Sequence, residues 1–402
     1  MGRKQRFNLE DGPGRMPAMS STFGNSGGEL AILLTGGGAR AAYQVGLLRC
    51  LARHWPDLRV PIITGVSAGA INAAYLAART EGFAEKVDGL SELWQNLTME
   101  KVFRTDSFSL IGNGLRLGSM LLSGGTVTRQ RPHSLVDTTP LRALLERALN
   151  SEKGRLPGIA ENLKRDRLRA VALTTSSYST GQSISWVQGR GIALWDRAHR
   201  RAALRDLDVS HIMASAALPI FFPAIQIEGR WYGDGGIRLT APLSPAVHMG
   251  ANRILAISTR YGRSNEEADR PSFSGYPPPA QVIGMLYNAV FLDLFEADAL
   301  HMQRLNKLIE ILPEGRSRLL RQVKLLALRP SRDLGELANE YEAVLPGGFR
   351  FLMRGLGTHE TRSNDALSLL LFHPEYCSRL IELGEADAEA QLDDIRDLLE
   401  SE

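Results

Sequence analysis

Two apolar runs about thirty residues apart, each ending in a glycine turn and followed by a helical pattern, constrain this chain more than any other feature. The first run, Leu30-Ala31-Ile32-Leu33-Leu34-Thr35, stops at Gly36-Gly37-Gly38. Helical spacing follows from Ala41 to Trp55, with Val45, Leu47, Leu48 and Leu51 on one side and Pro56 as the stop. The second run, Val60 to Thr64, leads into Gly65-Val66-Ser67-Ala68-Gly69 and then a small-residue helix, Ala70 to Ala78. Short continuous apolar runs are strands buried on both faces, and strand-helix-strand-helix in quick succession requires a mostly parallel sheet with helices packed on it. The spacing therefore predicts an α/β fold.

Later segments extend the pattern. Pro140 to Leu149 is helical, Leu168 to Thr174 is a strand, and Ser183 to Val187 has the look of an exposed hairpin strand. Ser210 is placed to cap a small-residue helix reaching Ala217, which Pro219 ends. Ile225 to Trp231, Arg253 to Thr259 and Val323 to Leu328 read as strands, and Val282 to Leu312 as a helix. The expected organisation is a flexible tail over 1–28, a catalytic domain over 29–332 and a helical extension over 333–402. Within the middle part, 262–280 reads as a connector. The glycine-interrupted apolar stretch 103–130 reads either as a partly packed loop or as a lid or interfacial segment.

Composition narrows the function classes. With 44% hydrophobic and 23% charged residues in 402, the chain is an ordinary globular protein able to fold around its own core. A formal net charge of +3 gives no argument for nucleic acid as a partner. Basic clusters at Lys164-Arg165, Arg167 and Arg169, and at Arg197, Arg200, Arg201 and Arg205, are ordinarily solvated faces, with anionic head groups as the other reading. Two distant cysteines, Cys50 and Cys377, make neither a disulfide framework nor a metal site and fit a reducing compartment. The first thirty residues lack a secretory apolar run, Arg6 breaks the myristoylation pattern, and no stretch reaches the ~18 apolar residues of a membrane span. The expectation is a cytoplasmic protein, able at most to touch the inner membrane surface.

Gly65-x-Ser67-x-Gly69 fits the nucleophile elbow, in which a strained turn between strand and helix lifts a serine hydroxyl clear of the backbone. Gly24-Asn25-Ser26-Gly27-Gly28 fits the same spacing, but Ser26 lies in a polar tail with no strand before it. The loop Gly36-Gly37-Gly38-Ala39-Arg40 leaves the sheet at the same end as the elbow. Its glycines expose backbone N–H groups of the kind an oxyanion hole needs, and Arg40 is placed either to fix the loop or to attract a phosphate. A rival reading takes Gly36-x-Gly38-x-x-Ala41 as a dinucleotide fingerprint of an oxidoreductase. That fingerprint wants an acid at the end of the second strand, and Asp57 precedes the strand instead.

An acyl-transfer serine needs a base. Eight histidines are present and none sits in a triad-like loop; Asp234, in Gly233-Asp234-Gly235-Gly236, is the better candidate, with a common Asp-Gly turn as the alternative. In combination, Gly36-Gly37-Gly38-Ala39-Arg40, Gly65-Val66-Ser67-Ala68-Gly69, Asp234-Gly235-Gly236 and the run Ala214-Ser215-Ala216-Ala217-Leu218-Pro219-Ile220-Phe221-Phe222-Pro223 resemble the patatin-like phospholipases. Ala41 departs from that pattern, which often has glycine there. The resemblance implies a three-layer α/β/α fold and a Ser67-Asp234 dyad working through an acyl-enzyme. It also implies an oxyanion hole at Gly36 to Arg40, an elbow of Gly65, Ala68 and Gly69, and an acid loop with Gly235 and Gly236. No metal or other cofactor is implied. Substrates would be phospholipids, lysophospholipids or glycerides, with acyl transfer to another alcohol as an alternative outcome. Phe221 and Phe222 are candidates to line an acyl groove or simply to pack a core. Oligomeric state is left open.

Overall fold

Strand β1 (Glu29–Leu34) is the axis of a sheet that has ten strands among the described residues, because the chain leaves it in both directions. On one side lie β2 (Ile62–Val66) and β3 (Ala170–Ser177); on the other lie β9 (Ala251–Ile257) and β10 (Lys324–Leu328). These five are parallel. β4 (Ser183–Gly189) adds antiparallel to β3, followed by β6 (Arg200–Leu204) and β5 (Asp196–Arg197). The computed structural model describes residues 29–104, 134–271, 273–291, 293–311 and 321–400. The expected tail 1–28 and almost all of the expected lid 103–130 fall outside them.

The apolar faces of the strands are covered on both sides, which gives two buried clusters. One packs Ile32, Leu34 and Ile63 against helices Ala42–His54, Ala68–Ala78 and Phe83–Gln95. The other packs Ala31, Leu33 and Ile254 against Leu243, Met249 and Phe295. The architecture is the expected α/β sandwich with a helical C-terminal region. No described helix is long and apolar enough to cross a membrane.

Several local expectations change. Ser183–Val187 is interior, because β4 is paired along both edges; Ser185 Oγ lies 3.4 Å from Thr174 Oγ1, and Gln188 Oε1, next along the strand, accepts from Leu207 N–H at 2.9 Å. The helix of the 210–217 run is Val209–Ser215, capped by Asp208 and not by Ser210. The Asp208 carboxylate accepts from the N–H groups of Ser210 and His211 at 2.8 and 3.1 Å. The 225–231 run is two antiparallel strands, β7 (Ile225–Ile227) and β8 (Arg230–Asp234). Glu228 and Gly229 take φ of 48° and 78°, the left-handed pair of a tight hairpin turn. The 282–312 run is two helices, Pro279–Phe291 and Asp293–Glu310.

The C-terminal helix Pro374–Glu389 lies along Ala42–His54. Glycine on both helices makes this approach sterically accessible: a Cβ at Gly46 would overlap the Ile381 carbonyl, and one at Gly384 would overlap the Tyr43 carbonyl. Asp387 then accepts from the buried Tyr43 hydroxyl at 2.9 Å and from Ser331 N–H at 2.9 Å.

Candidate active site

The sheet topology explains how two residues 167 positions apart meet. β2 stops beside Thr174 of β3, where Val66 pairs with it, and the chain turns sharply at Ser67 into helix Ala68–Ala78. Ser67 has φ 56° and ψ −134°, a conformation that costs a non-glycine residue roughly 1–3 kcal/mol. Its flanking glycines are sterically required. A Cβ at Gly65 would sit 2.6 Å from the Ala73 Cβ, and one at Gly69 would strike the carbonyls of Leu34 and Thr35. The Ser67 N–H donates to Ser215 Oγ at 3.0 Å, and Ser215 in turn donates to the Thr174 carbonyl at 2.6 Å. Ser215 thus ties the elbow to β3, and the Ser67 amide is committed to that bond.

β8 takes over the edge of β3 that β2 has vacated. It runs antiparallel, with Asp234 opposite Thr175, one residue beyond the last β2 pair. The carboxylate therefore arrives at the serine, and Ser67 Oγ donates to Asp234 Oδ2 at 2.6 Å. Gly236 N–H donates to the other oxygen, Oδ1, at 2.9 Å. Asp234 is fully buried, and burial pushes its carboxyl up to about 7, against the opposing pull of the hydrogen bonds from Ser67 and Gly236. Gly235 and Gly236 leave no room for a side chain: a Cβ would overlap the Thr174 carbonyl or the Phe291 ring.

The loop after β1 closes over the same point. A Cβ at Gly36 would lie 2.9 Å from the Ser67 Cβ, and the Gly36 carbonyl accepts from Thr259 Oγ1 at 2.6 Å. Gly37 (φ 149°) and Gly38 (φ 56°) occupy backbone regions that side chains resist, and Gly38 rests against the Leu369 carbonyl. Among the described residues the N–H groups of Gly37 and Gly38 donate to no acceptor, whereas the Arg40 N–H donates to the Gly37 carbonyl at 3.1 Å. Ala39 is buried. Of the two roles considered for Arg40, the geometry supplies the fixing one. Its buried guanidinium donates to Ser368 Oγ at 2.7 Å and pairs with Asp365 Oδ1 at 2.5 Å.

Beyond Ser67 opens an apolar cavity. Helices contribute Leu93, Trp94, Leu141 and Leu145 to its wall, and Phe222 closes one side. Phe221 faces elsewhere, with its ring 6.5 Å from that of Tyr287. Leu369, Leu370 and Phe372 supply the remaining wall. Sequence reasoning left these C-terminal residues, and also Ser215, Thr259, Asp365 and Ser368, without a role. Ser215 stands inside the Ala214–Pro223 run, but nothing in that run marks which serine bonds the elbow.

The family model for patatin-like phospholipase matches residues 32–247. A search of curated proteins matches none. Among solved structures, human GIVD cytosolic phospholipase A2 aligns with 11% identity over 92% of this chain and 60% of that one, at a TM-score of 0.48. VipD from Legionella pneumophila aligns with 13% identity over 91% of this chain and 67% of that one, at a TM-score of 0.41. The chain thus spans about three-fifths of the human protein's length.

Proposed function

The chain belongs to the patatin-like phospholipase family, and from that premise we propose that it hydrolyses fatty acyl esters of lipids, with Ser67 as nucleophile and Asp234 as the sole base. The observation that carries this reading is the 2.6 Å hydrogen bond from Ser67 Oγ to a carboxylate held entirely out of water, at the mouth of an apolar cavity.

The Ser67 hydroxyl oxygen attacks the ester carbonyl while Asp234 Oδ2 takes its proton. The developing oxyanion is held by the N–H groups of Gly37 and Gly38 and by the first turn of helix Ala68–Ala78. Collapse of the tetrahedral adduct expels the alcohol, which takes the proton from Asp234. Water then attacks the acyl-enzyme, Asp234 accepts its proton, and the fatty acid leaves as Ser67 is reprotonated. The fatty chain lies in the cavity lined by Trp94, Leu145, Phe222 and Leu370. An ordinary aspartate, with a pKa of ~3.9, is a weak base. A carboxyl raised to about 7 is a far better one and still half ionised at neutral pH. We take residues 29–332 as the catalytic domain and 333–402 as an extension that shapes its site.

The test is fluorophosphonate labelling of wild type, Ser67→Ala and Asp234→Asn, followed by fatty-acid release from phospholipid, lysophospholipid and glyceride vesicles. Adding a competing alcohol to the vesicles separates hydrolysis from acyl transfer. Label retained by Ser67→Ala refutes the nucleophile. Below about pH 7 wild-type kcat should fall roughly tenfold per pH unit as Asp234 protonates, and it should be level above.

A further inference from the structure

At the far end of helix Ala42–His54 from the glycine loop, about 18 Å along its axis, three side chains converge that the esterase chemistry does not use. Cys50 and His54 are four residues apart and so share one face of the helix. Glu389, the last residue of helix Pro374–Glu389, reaches them from across the seam. Cys50 Sγ donates to Glu389 Oε2 at 3.3 Å, and His54 Nε2 lies 3.1 Å from both Glu389 oxygens. All three candidate ligand atoms fall within 4.8 Å of one another, a grouping that the two cysteines taken by themselves, which gave no metal site, do not reveal.

We propose that Cys50, His54 and Glu389 form a site for a borderline-soft divalent cation, Zn²⁺ in the first instance, that staples the C-terminal helix to the first helix of the sheet layer. Bond lengths of about 2.3 Å to sulfur and 2.0–2.1 Å to nitrogen and oxygen put tetrahedral ligand edges at about 3.3–3.6 Å. The Cys50–Glu389 and His54–Glu389 separations of 3.3 and 3.1 Å are already close to that, and the third edge, Cys50 to His54, lies within 4.8 Å, so it has to close by at most about 1.2 Å to admit the ion. A thiolate, an imidazole and a carboxylate select zinc over magnesium or calcium, and solvent at the half-exposed side supplies the fourth position. Binding is an exchange: the ion takes the place of the thiol proton, the sulfur–metal bond forms as the S–H bond breaks, and one proton is released to buffer. Arg53 also contacts Glu389, at 3.6 Å, but it is more than half exposed and keeps its ion pair with Glu385 when the metal takes Glu389. The staple is remote from Ser67. Its reach to the site is through the helix region that carries Asp365, Ser368 and Leu369 to the glycine loop.

The experiment uses the full chain, stripped with a chelator under reducing conditions and titrated with Co²⁺ as a spectroscopic stand-in. Near-ultraviolet thiolate-to-cobalt charge transfer and tetrahedral visible bands should saturate at one equivalent and be displaced by Zn²⁺. The charge-transfer band should vanish in Cys50→Ser and persist in Cys377→Ser. His54→Gln and Glu389→Gln should each weaken binding by at least about tenfold. Zn²⁺ should raise the unfolding midpoint of wild type and not that of Cys50→Ser. Should Cys50→Ser fail to fold, His54→Gln, at an exposed ring, carries the same comparison. Absence of the charge-transfer band in wild type, its survival in Cys50→Ser, or unchanged affinity in both His54→Gln and Glu389→Gln would overturn the site.

Discussion

The family-matched part of the chain and its C-terminal helices both reach Ser67, but they contribute different things. The sheet region supplies every atom assigned to the proposed chemistry: the hydroxyl at the end of β2, the carboxylate at the end of β8, the bare amides after β1 and the first turn of helix Ala68–Ala78. The C-terminal helices supply no reacting group. They press the Leu369 carbonyl against Gly38, hold Arg40 through Asp365 and Ser368, and complete the cavity with Leu370 and Phe372. On the proposed mechanism, one region would fix which bond is broken, and the other how the loop sits and what chain fits. If that division is right, substitutions in the first should abolish turnover, and those in the second should scale it or redirect it.

The largest effect is expected at Ser67. Ser67→Ala should lower kcat by about 10⁴-fold or more and erase fluorophosphonate labelling, while circular dichroism and thermal midpoint stay near wild type. Asp234→Asn comes next, with a loss of about 10³–10⁴-fold. It should also separate activity from stability. A carboxyl raised from ~3.9 unfolded to about 7 folded binds its proton more tightly in the native state. Native stability therefore falls as pH rises through that window, by up to ~4 kcal/mol once above 7. The asparagine variant escapes the penalty. Its unfolding midpoint should exceed wild type at pH 8 and match it near pH 4; equal midpoints at pH 8 would remove the argument for a raised carboxyl.

The boundary between the regions is probed at Gly38. Gly38→Ala forces a Cβ into the Leu369 carbonyl at a φ of 56°, so the loop must shift. Loss of a well-placed oxyanion donor should lower kcat by about 10²–10³-fold with little change in KM. Asp365→Asn, on the C-terminal side of the same contact, leaves Arg40 buried without its counter-charge and should destabilise by about 3 kcal/mol. Its kcat should fall by much less than that of Gly38→Ala. A loss as large as that of Ser67→Ala would show that the C-terminal region does more than shape the loop. The smallest effect is a change of preference: Leu370→Phe fills part of the cavity and should shift kcat/KM toward shorter acyl chains by about tenfold, measured on a chain-length series of esters.

The same division explains what the sequence revealed. Elbow, acid loop and glycine loop were legible because a strained φ, a close backbone approach and a proton acceptor each demand a specific residue type at a specific spacing. Ser67, Asp234 and Gly36 to Gly38 stand out for that reason. The wall formed by Leu369, Leu370 and Phe372 was not legible, because packing asks only for apolar volume, which many segments offer. Nor was the Arg40–Asp365 pair, whose partners are 325 residues apart with no local pattern linking them. Among the strands, Ser183–Val187 reads as exposed because its alternating serines resemble a solvent face; they are buried among partners that only the assembled sheet provides. Asp208 was overlooked as a cap because Ser210 is an equally good capping type two residues on.

The meeting of β2 and β8 on one edge of β3 also bears on how the protein acquires its reactivity. Ser67 and Asp234 are separated by most of the matched region, so the pair forms only after β3 has been ordered between them and the distant hairpin has docked. Long-range closures of this kind come late in folding. On the proposed reading, a nascent or partly unfolded chain thus carries an unactivated serine, and any lipolytic power would emerge only with the finished sheet.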